Sequence, residues 1–357
     1  MKKKKFRLHP ALVFLILTIV IMIISCVGGI FNLEANYYVV NENTGDLTGQ
    51  IVNIKNLFNR TGLQYLISSM MNNFLEFAPL GSLIVGLLGI GVGYKSGFLN
   101  SLFKMIGEKM SRKSLTFIVV LLGILFSCIS EVGYVILIPL AAILFMNLGR
   151  HPSAGICAAY SGITFGYGAN FVINRLDSMF MKYTGIATTI LDTSYKVNLY
   201  GNVIFTLIST VLVAYIGMLV TEKFIIPKLG KYYFDEEEPS QEVAVSKKER
   251  KGVVIALIAT VIVGIILVYC LIKGLPFSGL LLDLSQNNYV DMLFGDGSYF
   301  YKGSVTIFSF MLIFSSIIYG IRVGTVDDNR DIVDGMGYYL KDEKNLKAAE
   351  DTAKFKN

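Results

Sequence analysis

The sequence has no tryptophan, only two histidines (His9 and His151), four cysteines and seven prolines in 357 residues. Two histidines, with no HExxH and no CxxC spacing, leave no ligand set for metal hydrolase chemistry. The cysteines Cys26, Cys128, Cys157 and Cys270 each sit inside an apolar run. They therefore read as small packing residues and not as a disulfide framework. Charge is scarce as well, at 16% of residues against about a quarter in a soluble domain. With 54% hydrophobic residues and a mean hydropathy of +0.59, the chain is neither disordered nor a water-soluble enzyme.

What the chain has in quantity is uncharged length. Residues 11–31 carry no charge over roughly 32 Å of helix, enough to cross a bilayer core. Further uncharged stretches run 77–94, 115–130, 132–149, 197–221, 253–272 and 303–321. The fold class is therefore all-α: a polytopic helical membrane protein. Ile23-Ile24-Ser25-Cys26 fits a lipoprotein cleavage box, but the long apolar run and the spans that follow favour an uncleaved anchor.

Basic residues sort the loops. Lys2, Lys3, Lys4, Lys5 and Arg7 precede the first span, and Lys95, Lys104, Lys109, Arg112 and Lys113 fall in 95–113. The 222–251 loop and the tail from Arg322 each carry seven Lys or Arg, whereas 34–72 has only Lys55 and Arg60 and 274–303 only Lys302. The positive-inside rule puts the first four segments in the cytoplasm and the last two outside, in a multi-pass inner-membrane protein with a cytoplasmic N-terminus. The expected organisation is a basic N-terminus (1–10), a first transmembrane repeat (11–222), a charged linker (223–251), the start of a second repeat (252–325) and a polar tail (326–357). On this orientation 114–197 makes an odd number of crossings. Residues 115–148 are long for one helix and short for two, with an interruption around Glu131, and either arrangement fits.

Residues 153–174 are apolar yet rich in small and helix-weakening types, with Gly155, Gly162, Gly166 and Gly168. About fifteen residues on each side of the last two glycines are too few for two full crossings, which predicts a re-entrant hairpin with its tip at membrane depth. The alternative is a tightly packed helix pair of the small-residue type. Broken elements of the first kind point to a substrate or ion site, because helix ends and freed carbonyls solvate ions. Thr164, Gly166 and Gly168 are then candidates to line a cation site, together with Asp177 and Glu131. Asn170, Asn174 and Asp177 are spaced to share one helical face, with Arg175 beside them and Lys182 a turn beyond. Asp177 is the candidate to hold a cation or proton, and Arg175 to meet a substrate carboxylate. The bland reading is that Arg175 and Asp177 snorkel at the interface, or pair with each other or with Lys182.

At these residues the chain resembles the p-aminobenzoyl-glutamate transporter (AbgT) family. The matching stretches are Asn73-Phe74, Phe77-Ala-Pro-Leu-Gly81, Leu88-Gly-Ile-Gly-Val92 and Lys95-Ser-Gly97. The most specific block is Gly133-Tyr-Val-Ile-Leu-Ile-Pro-Leu-Ala-Ala142, running into Gly149-Arg-His-Pro152 and Ala154-Gly-Ile156. Ala169-Asn170, Leu176-Asp177, Asn198, Thr221-Glu-Lys223, Pro227, Tyr319-Gly-Ile321, Gly324 and Arg330-Asp331 also fit, so the resemblance runs from residue 9 to about residue 336. It implies a homodimeric secondary transporter of two repeats, each giving a re-entrant hairpin to a shared site. The first hairpin falls at 153–174, with Asn170 at its tip and Asp177 as the first-half aspartate. The implied solute is p-aminobenzoyl-glutamate or, for export, a sulfonamide-type antimetabolite, coupled to protons or sodium.

Two departures from the family pattern bear on that expectation. Asn174 and Arg175 occupy positions that are usually small or uncharged, which implies altered anion selectivity. The second hairpin and its site residues are missing, and the charged run from Gly337 reads as a truncation, leaving half a site. The expected partners are the bilayer, a second copy and a small solute, with no nucleic acid and no cofactor beyond Na+ or H+. Gly89 to Ser96 only superficially suggests a phosphate loop, and no nucleophile–base pair supports an intramembrane enzyme built on Asp177 and Glu131.

Overall fold

The computed structural model describes residues 10–40, 47–129, 132–189, 192, 194–230, 232 and 244–340. The basic N-terminus before Pro10, Glu131, the middle of the charged linker and the tail beyond Leu340 lie outside the described residues. The chain divides into two compact units, Met1–Ala78 and Pro79–Asn357.

In the first unit, α1 (Pro10–Ile30) is an uncharged helix that opens on proline, whose fixed φ suits a first helical turn. Asn32 takes a left-handed φ of 45° just beyond it, and the Leu33 amide returns to the Gly28 carbonyl at 3.0 Å, closing the helix end. Strands β1 (Glu34–Val40) and β2 (Leu47–Asn53) then pair antiparallel, in register from Glu34 opposite Asn53 to Val40 opposite Leu47. This small sheet lies within 34–72, the segment that the loop charges place outside. Tyr37-Tyr38-Val39-Val40 is the β-favouring run that marks it. Asn59 caps α2 (Arg60–Leu75) by accepting from the Gly62 amide at 2.7 Å.

The second unit begins with α3 (Ala78–Lys95), α4 (Phe98–Lys109) and α5 (Arg112–Phe126). A tight turn, Ser127–Ile129, ends α5, and a widened π turn, Gly133–Leu137, leads into α6 (Ile138–Asn147). Next come α7 (Pro152–Gly166), α8 (Arg175–Thr189) and α9 (Val203–Val220), then a second π turn, Thr221–Ile225, into α10 (Ile226–Leu229). Pro139 and Pro227 each follow a π turn. A proline ring clashes with the carbonyl four residues back and lacks the N–H to bond it, so the preceding turn widens. The unit closes with α11 (Lys247–Leu271), α12 (Tyr289–Phe294), α13 (Tyr299–Val323) and α14 (Asn329–Met336).

Six helical runs among the described residues are long and apolar enough to cross a membrane: 12–30, 60–95, 112–129, 203–229, 247–271 and 299–323. Residues 133–147 form a shorter apolar helix. The protein is a multi-pass helical membrane protein.

Close packing fixes the run of the chain through its centre. A Cβ on Gly162 would overlap the Val120 carbonyl oxygen, and one on Gly166 would lie 2.7 Å from the Ile124 carbonyl oxygen. As α5 advances α7 advances, so the two are parallel. On the other flank Gly155 abuts Ala141 and Phe145, while Gly133 faces Ile163, so α6 runs antiparallel to α7. α5 and α6 therefore run antiparallel, and the described residues of 115–148 form two short helices, the second of the two arrangements the sequence allows.

The expected hairpin over 153–174 had its tip at Gly166–Gly168, and the helix does end there, at Gly166, with the next beginning at Arg175. Gly155 and Gly162 make no turn; they let α7 lie backbone to backbone against its neighbours, the small-residue packing that had been the alternative. Only the end of the stretch is irregular. The antiparallel α9 has Thr210 against Ala169 and Gly217 against Val120. Residues 152–189 thus form two helices interrupted at 167–174.

Candidate functional site

The interruption at 167–174 begins where α7 runs out in Gly166-Tyr-Gly168. Asn170 is 5% exposed and every polar atom of its side chain is engaged. Its Nδ2 donates to the Ile124 carbonyl at 2.7 Å and to Ser127 Oγ at 3.0 Å, while Oδ1 accepts from the Val172 amide at 3.0 Å. Ser127 Oγ also donates to the Ile124 carbonyl, at 2.7 Å. Thr210 of α9 donates to the Ala169 carbonyl at 2.9 Å. Two interrupted elements, the end of α5 and the turn after α7, are joined here by buried side-chain hydrogen bonds.

Asn174 opens α8. Its Oδ1 accepts from the amides of Leu176 (2.8 Å) and Asp177 (3.4 Å), and its own amide donates to Asp177 Oδ2 at 2.9 Å. This reciprocal cap corrects the shared helical face expected for Asn170, Asn174 and Asp177. Asparagine competes for backbone N–H groups and favours a helix start, so α8 begins only at Arg175 and both asparagines precede it. The three residues remain within one turn-and-cap segment, with Asn170 and Asn174 buried and Asp177 half-buried.

The basic residues nearby do not pair with Asp177. Arg175 meets Asp296 at 2.6 Å, and Lys182 meets Asp291 of α12 at 3.2 Å. Asp291 also accepts from the buried Ser178 hydroxyl at 2.7 Å. The pairs bring α8 into contact with the segment before α13. Arg175 and Asp296 are 44% and 79% exposed, so screening by solvent leaves their attraction weak. Thr164 is exposed and donates back to the Tyr160 carbonyl at 2.9 Å, within its own helix. Gly166 is buried against Ile124 and Ser127, Gly168 is exposed, and Glu131 lies outside the described residues.

A second polar cluster escaped the sequence reading as a structural unit. Arg150, 6% exposed, pairs with Glu222 of the π turn after α9, donates to Thr116 Oγ1 at 2.9 Å and to the Arg112 carbonyl at 3.2 Å, and lies 4.4 Å from the centre of the Phe145 ring. Thr116 donates to the same Glu222 oxygen. The cluster joins α5, the α6–α7 connection and the end of α9. Both residues stand in stretches that match the family, Gly149-Arg-His-Pro152 and Thr221-Glu-Lys223, but nothing in the spacing of residues 150 and 222 reveals their pairing.

The sequence profile described as "AbgT putative transporter family" matches residues 6–343. The chain belongs to this family. It is 28% identical over 324 residues to the p-aminobenzoyl-glutamate transport protein of Escherichia coli (strain K12), covering 91% of this chain and 60% of that protein. Among solved structures it is similar to Neisseria gonorrhoeae MtrF, described as illuminating a class of antimetabolite efflux pumps, at 31% identity and a TM-score of 0.52. That similarity covers 93% of this chain and 65% of MtrF. The Alcanivorax borkumensis YdaH transporter, at 26% identity and a TM-score of 0.49, is covered to 65% by 92% of this chain. The chain thus spans about two thirds or less of the length of the AbgT-family proteins it matches.

Proposed function

We propose that this AbgT-family chain works in a secondary transporter that couples sodium or proton movement to uptake of an aromatic amide carrying carboxylates, of the p-aminobenzoyl-glutamate kind. The single observation that supports it is the buried junction of two interrupted elements, with Asn170 spanning the end of α5 and the 167–174 turn. Interrupted helices at membrane depth are tolerated where they line a site, and their freed carbonyls and helix termini suit ions and anionic groups. Asp177, in the first turn of α8, supplies the negative charge for the coupling cation, and Arg175 supplies the positive charge for a substrate carboxylate. Arg175 can exchange Asp296 for a substrate carboxylate at little cost, because that ion pair is solvent-exposed. The transporter works as a homodimer in the inner membrane, with a cytoplasmic N-terminus. The loop charges support that orientation.

The test is accumulation of radiolabelled p-aminobenzoyl-glutamate in proteoliposomes under an imposed sodium or proton gradient. Uptake above the unloaded control under one gradient, lost when that gradient is collapsed, is the expected result. Equal counts with and without either gradient contradict the proposal. The likeness to MtrF favours a second reading, export of antimetabolites of the sulfonamide type by the same fold. In that case expression raises sulfonamide resistance in cells, and the vesicles show efflux in place of uptake.

A further inference from the structure

Away from the Asn170 junction, near the middle of the two longest helices, α11 and α13, lies a cavity of about 280 Å³. Its walls come from α4, from the residues on both sides of the α5–α6 reversal, and from α11 and α13. Phe98, Phe126 and Phe308 supply aromatic surface, and the Phe126 and Phe308 rings meet edge to face with centroids 5.6 Å apart. Leu312, Leu140 and Met311 fill out the wall.

The polar side chains on the wall are Thr260 and Ser315. Their two hydroxyl protons are shared among the contact between them and the carbonyls of Ala256 and Met311, so no donor is left free for a guest carboxylate. Among the described residues, no charged side chain lines the cavity.

An apolar cavity of about 150 Å³ lined by Leu, Ile and Phe stays dry and takes up benzene, because water there forfeits its hydrogen bonds. The cavity in this chain is larger, opens on one side, and apart from Thr260 and Ser315 is lined in the same way. A carboxylate entering it would lose its hydration and find no partner. A flat ring would instead add further edge-to-face contacts to the phenylalanine pair.

We infer that this cavity is a binding site for an uncharged aromatic molecule of one or two rings, taken from the bilayer. It shares no residue with the Asn170 junction, and its chemistry rejects the carboxylated solute proposed for that junction. Phe126 and Val132 of its wall flank the α5–α6 reversal, so an occupant stiffens the element that Ser127 ties to Asn170.

The test uses the purified full chain in lipid nanodiscs with fluorobenzene as probe, followed by fluorine NMR. The expected result is one saturable site per chain, displaced by benzene and not by benzoate, with affinity at least tenfold weaker in Leu312→Phe, whose ring fills the space. Should Leu312→Phe fail to fold, Leu140→Phe serves, with the same loss expected. A signal that rises linearly with probe and is identical in the folded variant overturns the inference. So does displacement by benzoate as strong as by benzene. Neither result bears on gradient-driven uptake, which is read separately.

Discussion

The side-chain amide of Asn170 donates to the carbonyl of Ile124 at 2.7 Å, across 46 positions of sequence, and so ties the break after α7 to the end of α5. The same amide reaches Ser127 Oγ at 3.0 Å. Without this donor a buried carbonyl and a buried hydroxyl lose a partner that water cannot replace. Asn170→Ala therefore lowers stability by about 1–3 kcal/mol. Asn170→Asp does the same or worse, because an acceptor then faces the carbonyl. Thermal unfolding in detergent checks both; an unchanged midpoint for Asn170→Ala would mean the bond is not formed.

Glycines in this chain fall into two groups with opposite predicted responses. In α7, a Cβ at Gly162 has nowhere to go, since it would overlap the Val120 carbonyl oxygen and press on the Gly123 backbone. Gly162→Ala forces α5 and α7 apart and costs about 1–3 kcal/mol. In α11, by contrast, a Cβ at Gly264 meets nothing within 4 Å. Gly264→Ala stabilises by about 0.5–1 kcal/mol, through the helix propensity gained. Comparing the two unfolding midpoints decides it, and a loss of stability in both variants contradicts the packing described.

These glycines also mark how far the sequence could be read. Uncharged length located the spans of α1, α9, α11 and α13, because a bilayer demands it. Glycine clustering at 153–168 announced an unusual element but not its kind, since glycine serves a turn and a close approach equally well. The partner backbones on α5 and α6, which decide between the two, are not encoded near the glycines. Asn170, Asn174 and Asp177 were legible as polar groups in the wrong place, but a helical spacing assumed a helix that Asn174, by capping α8, does not permit. The β1–β2 pair was missed because its strands lie among polar turn residues and lack a long alternating pattern. The pairs Arg175–Asp296 and Arg150–Glu222 depend on contacts between distant segments and left no local signal.

The buried pair of Arg150 and Glu222 gives a prediction in which the single and double changes differ. Removing one partner strands a charge among Thr116, Phe145 and helix carbonyls. Glu222→Leu alone accordingly destabilises by about 3–5 kcal/mol. Replacing both, Arg150→Met with Glu222→Leu, recovers most of that loss, because no uncompensated charge remains. A double-mutant cycle on unfolding free energies reads the coupling, and additive losses would show that the two side chains do not act as a pair.

A pH effect is expected at the start of α14, outside the spans. The Asp331 carboxyl accepts from the amides of Asp327 (2.9 Å) and Asp328 (3.2 Å), which hold it below the usual carboxylate range. A carboxyl depressed in the folded state stabilises above its unfolded value, near about 3.9, and that contribution disappears as pH falls through the folded value. Amide exchange of residues 329–336, corrected for intrinsic rates, should accelerate as pH drops through that window. In Asp331→Asn, which keeps an acceptor oxygen but cannot titrate, the acceleration is absent; finding it there would place its origin elsewhere.

The central claim is that Asp177 carries the coupling charge, and one substitution isolates it. The Asn174 amide donates to Asp177 Oδ2 at 2.9 Å, so Asp177→Asn keeps an oxygen for the cap while removing the charge. The decisive measurement is gradient-driven uptake of p-aminobenzoyl-glutamate by the wild-type chain and by Asp177→Asn, at matched membrane levels and matched thermal stability. The account predicts a loss of at least tenfold in the variant. Uptake in Asp177→Asn equal to that of the wild type would contradict it.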